Sequence, residues 1–354
     1  MEYGSFFDAR ANAGFETGNA DFLQPEWQLY RSGRDALKAL ARVTGARRVL
    51  MPELCCVSMI GPFAANGCEL VFYRLRKDLR GDEEQVRSLA QKGDLLLYLP
   101  YFGIRPFADD FLKELRKKGI LLAEDRTQDI VVPREAGGFA PDATVASLRK
   151  WAFLPEGGML QTALGSCPAG EDPTFGDQCR EAMEKKARYL QSWEAELKAD
   201  FLDQFHRAEE LLDADGEPVA MSGTYREIAA RLDFGAVYEA RLRNVLHLQK
   251  ELRPLRDAGK LDFLTETPEA SCLYLPILLE DRDAVQRAMA ERKVYCPVIW
   301  PQPAEVTNPG AASRRVTRHM LALPVDQRYS NLDTDYFCDC LMRILNSDPG
   351  EGSR

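Results

Sequence analysis

The sequence predicts an α/β fold, in which a mostly parallel sheet lies between layers of helices and is followed by a smaller α+β part. Two observations support this. Short runs that are almost wholly apolar, such as Asp94 to Leu99 (DLLLYL), alternate with helical patterns of about ten to fifteen residues. After about Asp172 the alternation gives way to long, highly charged helical sequence. Such apolar strands are typical of parallel sheets buried on both faces, which bind ligands at the carboxyl ends of their strands.

The elements of the first part follow one another in a regular order. The predicted helices share apolar positions at helical spacing and cover Asp35 to Val43, Val57 to Ala65, Glu83 to Gln91 and Phe107 to Lys118. The predicted strands are short apolar runs and cover Arg48 to Met51, Glu69 to Tyr73, Asp94 to Leu99, Ile120 to Ala123, Thr144 to Ser147 and Gly158 to Gln161.

The second part is predicted to be a small α+β domain. Residues 176–212 are dominated by charged helical sequence, and glycine and proline interrupt it between Leu211 and Ser222. The later elements are, in order, a helix over Leu232 to Leu252, a strand over Cys272 to Leu279, a helix over Arg282 to Arg292, a strand over Val294 to Val298 and a helix over Asp333 to Leu345. We therefore expect a large domain over residues 1–220 and a smaller one over 221–354.

Composition excludes several classes of partner. The chain has 354 residues and a net charge of −9, so nucleic acid and anionic membranes are repelled overall. No uninterrupted apolar stretch is long enough to span a membrane, and the first residues lack the features of a signal peptide, so we expect a cytoplasmic protein. The nine cysteines form no CxxC pair and only three histidines occur, which argues against a metal site and for reduced thiols.

The segment Ser32 to Leu37 (SGRDAL) opens the first predicted helix with a glycine. A helix start presents unpaired N–H groups and the positive end of the helix dipole, and this suits a phosphate group. Gly33 and Arg34 are therefore candidate phosphate-binding residues. The alternative is an ordinary helix cap, with Ser32 as the capping side chain.

The segment Glu124 to Gln128 (EDRTQ) directly follows an apolar strand. A carboxylate at this position could hold the protonated nitrogen of a pyridine ring, and Asp125 is the better placed of the two acids. Gln128 could contact a phenolic oxygen on the same ring. A solvated loop of charged residues is the alternative.

The segment Ser147 to Lys150 (SLRK) also follows a strand. A lysine at a strand end can form a Schiff base if its amine can lose its proton, and burial and the neighbouring cation Arg149 favour that loss. Ser147 can donate to a phosphate. A solvated surface lysine is the common alternative, but Lys150 is flanked by apolar residues. A further segment, Pro52 to Cys56, follows the first sheet strand, where a ring would be covered on one face.

These segments resemble those of the DegT-type aminotransferases, the sugar-nucleotide branch of the fold-type I pyridoxal phosphate enzymes. The resemblance runs from about Tyr30 to Ala163, and more loosely to about Leu345. It implies an aspartate aminotransferase-like large domain that binds pyridoxal 5'-phosphate, and a homodimer with active sites at the interface. The implied roles are Lys150 as the Schiff base, Asp125 at the pyridine nitrogen and Gln128 at the phenolic oxygen. The phosphate would be held by Gly33, Arg34 and Ser147.

The chain departs from the family pattern at two points. Ser147 and Lys150 are closer together than is common in the family, although their separation is that of the wider aminotransferase superfamily. The usual aromatic ring-stacking position falls on Cys56. Further candidates on the substrate side are Tyr101, Arg226, Tyr295 and Trp300.

Three functional hypotheses follow from these residues. The leading one is an aminotransferase that takes an amino group from a small-molecule donor, glutamate by expectation, and passes it to a keto acceptor such as a nucleotide-linked sugar. The second keeps the cofactor but changes the reaction to dehydration, elimination or decarboxylation, because the same cofactor supports all of these. The third is a non-catalytic protein that has retained the fold.

Overall fold

A computed structural model describes residues 2–8, 11–16, 22–132, 137–213, 216–265 and 273–346. Its largest sheet has seven strands in the spatial order β2-β8-β7-β6-β5-β3-β4. Their bounds are β2 Gln28–Tyr30, β3 Arg48–Pro52, β4 Glu69–Tyr73, β5 Leu95–Tyr98, β6 Leu121–Asp125, β7 Ala143–Ser147 and β8 Gly158–Thr162. Only β8 runs antiparallel to its neighbours in this sheet, so the predicted, mostly parallel arrangement is confirmed.

The helices alternate with these strands and then dominate the later chain. Their bounds are α1 Gly33–Thr44, α2 Val57–Ala65, α3 Glu83–Leu89, α4 Asp109–Lys117, α5 Pro173–Ser192, α6 Ala195–Asp213, α7 Gly223–Arg231, α8 Phe234–Asp257, α9 Arg282–Glu291, α10 Ala311–His319 and α11 Asn331–Asn346. Short 3-10 turns occur at Tyr101–Gly103 and Leu148–Lys150. The apolar strands β3 and β5 lie at the centre of a core that includes the buried faces of α1, α2 and α4.

Strand order brings the ends of three segments to one edge of the sheet. β6 and β7 are parallel neighbours, with Asp125 paired in register with Val145. The carboxyl ends of both strands therefore point to the same edge, followed by Gln128 and Lys150 respectively. The start of α1 lies at this edge too, because β8 places Gly158 directly against the backbone of Ser32.

A second, antiparallel sheet of three strands lies in the later chain. It has the order β12-β10-β9, with bounds β9 Asp262–Phe263, β10 Tyr274–Leu278 and β12 Met320–Pro324. Helices α8, α9 and α11 contribute apolar side chains to the core of this region. The first strand of the chain, β1 (Tyr3–Gly4), pairs in parallel with β11 (Val294–Tyr295), which joins the start of the chain to its later part.

Several predicted elements differ in detail from those observed. The charged stretch 176–212 forms two helices, because Trp193 adopts a left-handed conformation (φ 60°) that ends α5. The strand expected over Val294 to Val298 has only two residues, and the proline at position 297 follows it closely. Strand β12 and helix α7 were not expected. The predicted strand over Cys272 to Leu279 begins outside the described residues, which contain its part from Tyr274 onward.

Within the described ranges, no helix is both long and apolar enough to cross a membrane. The eight cysteines that these ranges contain are all free thiols.

Candidate active site

A cavity of about 860 Å³ opens at the edge of the sheet where β6 and β7 end. Nine of the residues selected from the sequence line it: Gly33, Arg34, Cys56, Asp125, Gln128, Ser147, Lys150, Tyr295 and Trp300. Since these residues come from five separate segments of the chain, the fold brings together residues that are far apart in the sequence.

Gly33 and Ser147 form one end of the cavity. A side chain at Gly33 would place its Cβ 3.1 Å from the Cβ and 3.6 Å from the Oγ of Ser147, so glycine allows the start of α1 to pack closely against Ser147. Ser32 also acts as the helix cap, since its Oγ accepts a hydrogen bond of 3.2 Å from the backbone N–H of Asp35. The cap and the anion-binding helix start thus coexist in the same turn.

Asp125 and Gln128 also line the wall of the cavity. Both are buried, with 6% and 1% of their surface exposed, so the alternative of a solvated loop is wrong for these two residues. Burial raises the pKa of Asp125, although hydrogen bonds from Thr127 and the charge of Lys150 oppose that rise. A carboxylate in this setting is stabilised by any further cationic or N–H donor that approaches it.

Gln128 is held by one end of its amide only. Its Oε1 accepts a hydrogen bond of 2.7 Å from the backbone N–H of Phe102. This contact turns its Nε2 away from the backbone, and in the part of the chain that the structure describes this buried nitrogen has no hydrogen-bond partner. A buried donor without a partner is costly, so the arrangement is suited to an acceptor supplied by a ligand.

Lys150 ends the turn that follows β7 and is exposed within the cavity. Its position is fixed by the next residue, Trp151, which is fully buried. The indole Nε1 of Trp151 donates to the carbonyl oxygen of Thr127 at 2.9 Å, and Arg241 donates to the carbonyl oxygen of Trp151 at 3.2 Å. The backbone of Lys150 is therefore anchored while its side chain remains accessible.

The neighbouring cation Arg149 does not act as the sequence suggests. Its guanidinium group donates to the Oε1 of Glu209 at 2.9 Å and stacks 4.6 Å from the ring centre of Phe175. The charge that was expected to favour deprotonation of Lys150 is thus compensated by a carboxylate from α6. Nothing in the local sequence indicates this partner, because Glu209 lies sixty positions downstream and carries no motif.

The remaining candidates divide into those at the cavity and those behind it. Cys56 is half-buried at the start of α2, and Trp300 lines the same cavity. Tyr101 does not line it: its ring contacts Trp300 edge-on at 6.5 Å and its hydroxyl donates to the carbonyl oxygen of Leu54. Arg226 lies outside the cavity as well, bound to Glu171 at 3.2 Å.

The far end of the cavity contains charged residues that sequence reasoning missed. Lys198 of α6 binds the carboxylate of Glu2 at 2.9 Å and the hydroxyl of Tyr295 at 2.8 Å. Arg328 makes a two-point contact with Asp326, at 2.7 and 2.9 Å. Because Glu2, Lys198 and Tyr295 are far apart in the sequence, no local pattern could have associated these three residues.

Comparison with known proteins gives matches among solved structures. No protein-family model matches the chain. No curated protein matches it either. A DegT DnrJ EryC1 StrS aminotransferase from Brucella abortus matches with a TM-score of 0.63 and 15% identity, covering 91% of this chain and 86% of the other. PseC from Helicobacter pylori, an aminotransferase involved in the biosynthesis of pseudoaminic acid, matches with a TM-score of 0.65 and 13% identity, over 98% of this chain and 100% of the other.

A third structure carries a cofactor. It is ntda from Bacillus subtilis with bound cofactor PMP, which matches with a TM-score of 0.64 and 14% identity over 91% of this chain and 73% of the other. At these identities the likeness concerns the fold, and it confirms the fold that the sequence resemblance implied.

Proposed function

We propose that this chain is a pyridoxal phosphate-dependent aminotransferase. The observation that carries the proposal is a single cavity with complementary groups for each part of that cofactor. Its wall combines the closely packed Gly33 and Ser147, the unpartnered donor of Gln128, the buried carboxylate of Asp125 and the accessible amine of Lys150. The cofactor found in a protein of similar fold, ntda with PMP, supports the same conclusion.

The residues present fit the cofactor part by part. Gly33, Arg34 and Ser147 would hold its phosphate, and Asp125 its pyridine nitrogen. The Nε2 of Gln128 would donate to its phenolic oxygen, which supplies the acceptor that this nitrogen lacks. Cys56 would lie against one face of the ring, and the side-chain amine of Lys150 would hold the cofactor covalently.

The catalytic work of the protein divides between two of these residues. When bound, pyridoxal phosphate supplies an electron sink for bonds at the amino-bearing carbon of the substrate. As a carboxylate in a buried setting, Asp125 would stabilise a positive ring nitrogen more strongly than it would in water. Lys150 acts as the general base that moves a proton, since its backbone is fixed while its amine reaches into the cavity.

We infer that the donor is an amino acid, with glutamate as the expected one, and that the acceptor is a keto group on a nucleotide-linked sugar. The solved structures of similar fold include PseC, an aminotransferase involved in the biosynthesis of pseudoaminic acid, and DesI in the presence of its TDP-sugar product. The cavity, at about 860 Å³, is large enough for a second molecule beside the cofactor. A homodimer with the sites at its interface belongs to the same proposal.

The visible spectrum of the purified protein tests the proposal directly. With added pyridoxal phosphate we expect an absorption band of the lysine-bound cofactor, which glutamate converts to that of the aminated cofactor with release of one equivalent of keto acid. Lys150→Ala should lose the band, whereas Lys113→Ala, at an exposed position on α4, should retain it. Borohydride treatment should leave the cofactor attached to the peptide that contains Lys150.

Other outcomes would identify the alternatives. Release of keto acid or ammonia without accumulation of aminated cofactor would indicate elimination or a related reaction instead of amino transfer. Absence of both the band and the borohydride adduct from the wild-type protein would exclude the cofactor and favour a non-catalytic role.

A further inference from the structure

Glu209 lies between two arginines at the phosphate end of the cavity. Its Oε1 accepts from Arg149 at 2.9 Å, and its Oε2 lies 3.2 Å from the guanidinium of Arg34. The two arginines come from the segments that contain Gly33 and Ser147, so this carboxylate joins the two segments. Asp213, one helical turn further along α6, binds Arg34 as well at 3.1 Å.

This ion-pair network is partly removed from water. The side chains of Arg34, Arg149 and Glu209 are 19%, 17% and 35% exposed. Burial disfavours the charged form of Glu209, but the charges of Arg149, Arg34 and Lys150 outweigh this and lower its pKa. Glu209 is therefore an anion at neutral pH, in contact with both arginines.

Glu209 does not occupy all the hydrogen-bond donors of Arg149. Its Nε is buried, and among the described residues it has no hydrogen-bond partner. A guanidinium group has five N–H donors in a fixed planar fork, which matches an anion with several oxygens better than a single carboxylate oxygen. The position thus has capacity for a further acceptor such as a phosphate.

We propose that Glu209 is a built-in competitor of the phosphate group for Arg34 and Arg149, so that α6 must release these arginines when the cofactor binds. This inference rests on the proposed function for the identity of the ligand. A phosphate ester carries about −1.5 to −2 charges at neutral pH, and it cannot share two arginines with a carboxylate without repulsion. The affinity for the cofactor then depends on how much more strongly the two arginines bind the phosphate than the carboxylate of Glu209.

Binding to cofactor-free protein tests the competition. Glu209→Gln keeps the shape of the side chain and removes its charge, and Glu210→Gln, at the exposed neighbouring position, makes the same change in net charge away from the arginines. We expect Glu209→Gln to lower the Kd of pyridoxal phosphate by on the order of tenfold and to leave that of pyridoxal, which lacks the phosphate, unchanged. Glu210→Gln should alter neither. Weaker or unchanged binding of pyridoxal phosphate, or an equal gain for pyridoxal, would overturn the proposal.

Inorganic phosphate separates this proposal from the proposed function. It should raise the melting temperature of Glu209→Gln more than that of the wild type, whether or not the protein binds pyridoxal phosphate. Equal shifts would contradict the competition. If pyridoxal phosphate fails to bind while phosphate still discriminates between the variants, the proposed function is wrong and the role of Glu209 as an anion competitor stands.

Hydrogen exchange on the wild-type protein provides a test that does not depend on a variant folding. On addition of pyridoxal phosphate, or of inorganic phosphate where the cofactor does not bind, amides in residues 205–213 should exchange faster, because their anchor to the arginines is lost. Slower exchange throughout this segment would mean that α6 closes on the ligand, and the competition would be refuted.

Discussion

Gly158 shows how closely two backbones approach beside the cavity. A Cβ at this position would lie 2.0 Å from the carbonyl oxygen of Ser32, and neither backbone can move without displacing the start of α1. Glycine is therefore required here by contact, since its φ is not in the left-handed region. The sequence predicts a strand that begins at this glycine, but only the fold identifies Ser32 as its neighbour.

Substitution of this glycine should destabilise the protein. We expect Gly158→Ala to lower the free energy of unfolding by about 3 kcal/mol, because the added methyl group overlaps backbone atoms. Gly61→Ala is the matched control, as it lies within α2 with no atom within 4 Å of the added Cβ, and it should be neutral or stabilise by up to about 1 kcal/mol. Urea unfolding measures both. Equal effects of the two substitutions would contradict the steric explanation.

Asp125 allows a test of charge at nearly constant shape. Asp125→Asn should retain the fold and bind the cofactor, but it removes the negative charge that stabilises a positive ring nitrogen. We therefore expect kcat to fall by more than about a hundredfold, with a smaller change in KM. Steady-state kinetics with saturating cofactor provide the measurement. An unchanged kcat would show that the ring nitrogen is held by another group.

For individual residues, the sequence predicts candidates that directly follow strands. It misses those that line the cavity but lie far away in the sequence. Asp125, Gln128 and Lys150 could be selected as candidates because each lies a few positions beyond a recognisable apolar strand, and parallel strands end at one edge. Glu209 and Arg328 could not, because they come from segments whose position depends on tertiary packing.

At the scale of helices and strands, a buried carboxylate, that of Glu53, connects α10 to the large sheet. Glu53, at the end of β3, accepts hydrogen bonds of 2.7 Å from the backbone N–H of Gly310 and from the hydroxyl of Ser313. It also accepts from the backbone N–H of Leu75 at 3.2 Å. Because Glu53 is buried, these bonds serve as the N-terminal cap that α10 lacks in its own sequence.

Removal of this charge should loosen the connection. Glu53→Gln replaces one acceptor oxygen with a donor group that faces existing donors, and we expect a loss of about 2 kcal/mol in the free energy of unfolding. Glu305→Gln, an exposed change in the segment before α10, should cost less than about 0.5 kcal/mol. Urea titrations compare the two. Comparable stability of both variants would mean that α10 does not depend on this cap.

The bounds of helices and strands were predicted well where the apolar pattern determines them. They were predicted poorly where the backbone conformation of a single residue determines them. Helix α2 and strand β4 have the predicted bounds, because both segments are mostly apolar. The division between α5 and α6 depends on Trp193 in a left-handed conformation, which few residues other than glycine adopt readily. The predicted division into domains at residue 220 stays a prediction.

Across the whole molecule, the first residues of the chain are fastened to its later part and to α5. The backbone N–H of Gly4 donates to the hydroxyl of Tyr329 at 2.7 Å, and the carbonyl oxygen of Phe6 accepts from both Lys186 and Arg328. Lys186 is fully buried at this junction, and burial together with the charge of Arg328 lowers its pKa to about 7, against the opposing charges of Glu2, Asp8 and Asp326.

Lys186 should make stability depend on pH. Above about pH 7 the folded protein releases a proton that the unfolded chain retains up to its ordinary pKa of 10.5, so stability rises with pH in this interval. Lys186→Met should remove a slope of up to about 1.4 kcal/mol per pH unit. Urea unfolding at several pH values between 7 and 8.5 measures it, with Lys113→Met as the exposed control. Parallel profiles for the wild type and Lys186→Met would rule out this contribution.

The joining of the first residues to the last has a consequence for synthesis. The cavity wall includes Glu2 and Gly4 at one end of the sequence and Asp326 and Arg328 at the other. A nascent chain still attached to the ribosome can form the central strands early, but it cannot enclose the cavity until these distant residues meet. A ligand can therefore meet the complete site only after both segments have been synthesised, and a chain truncated shortly before Asp326 would have most of the sheet without a complete site.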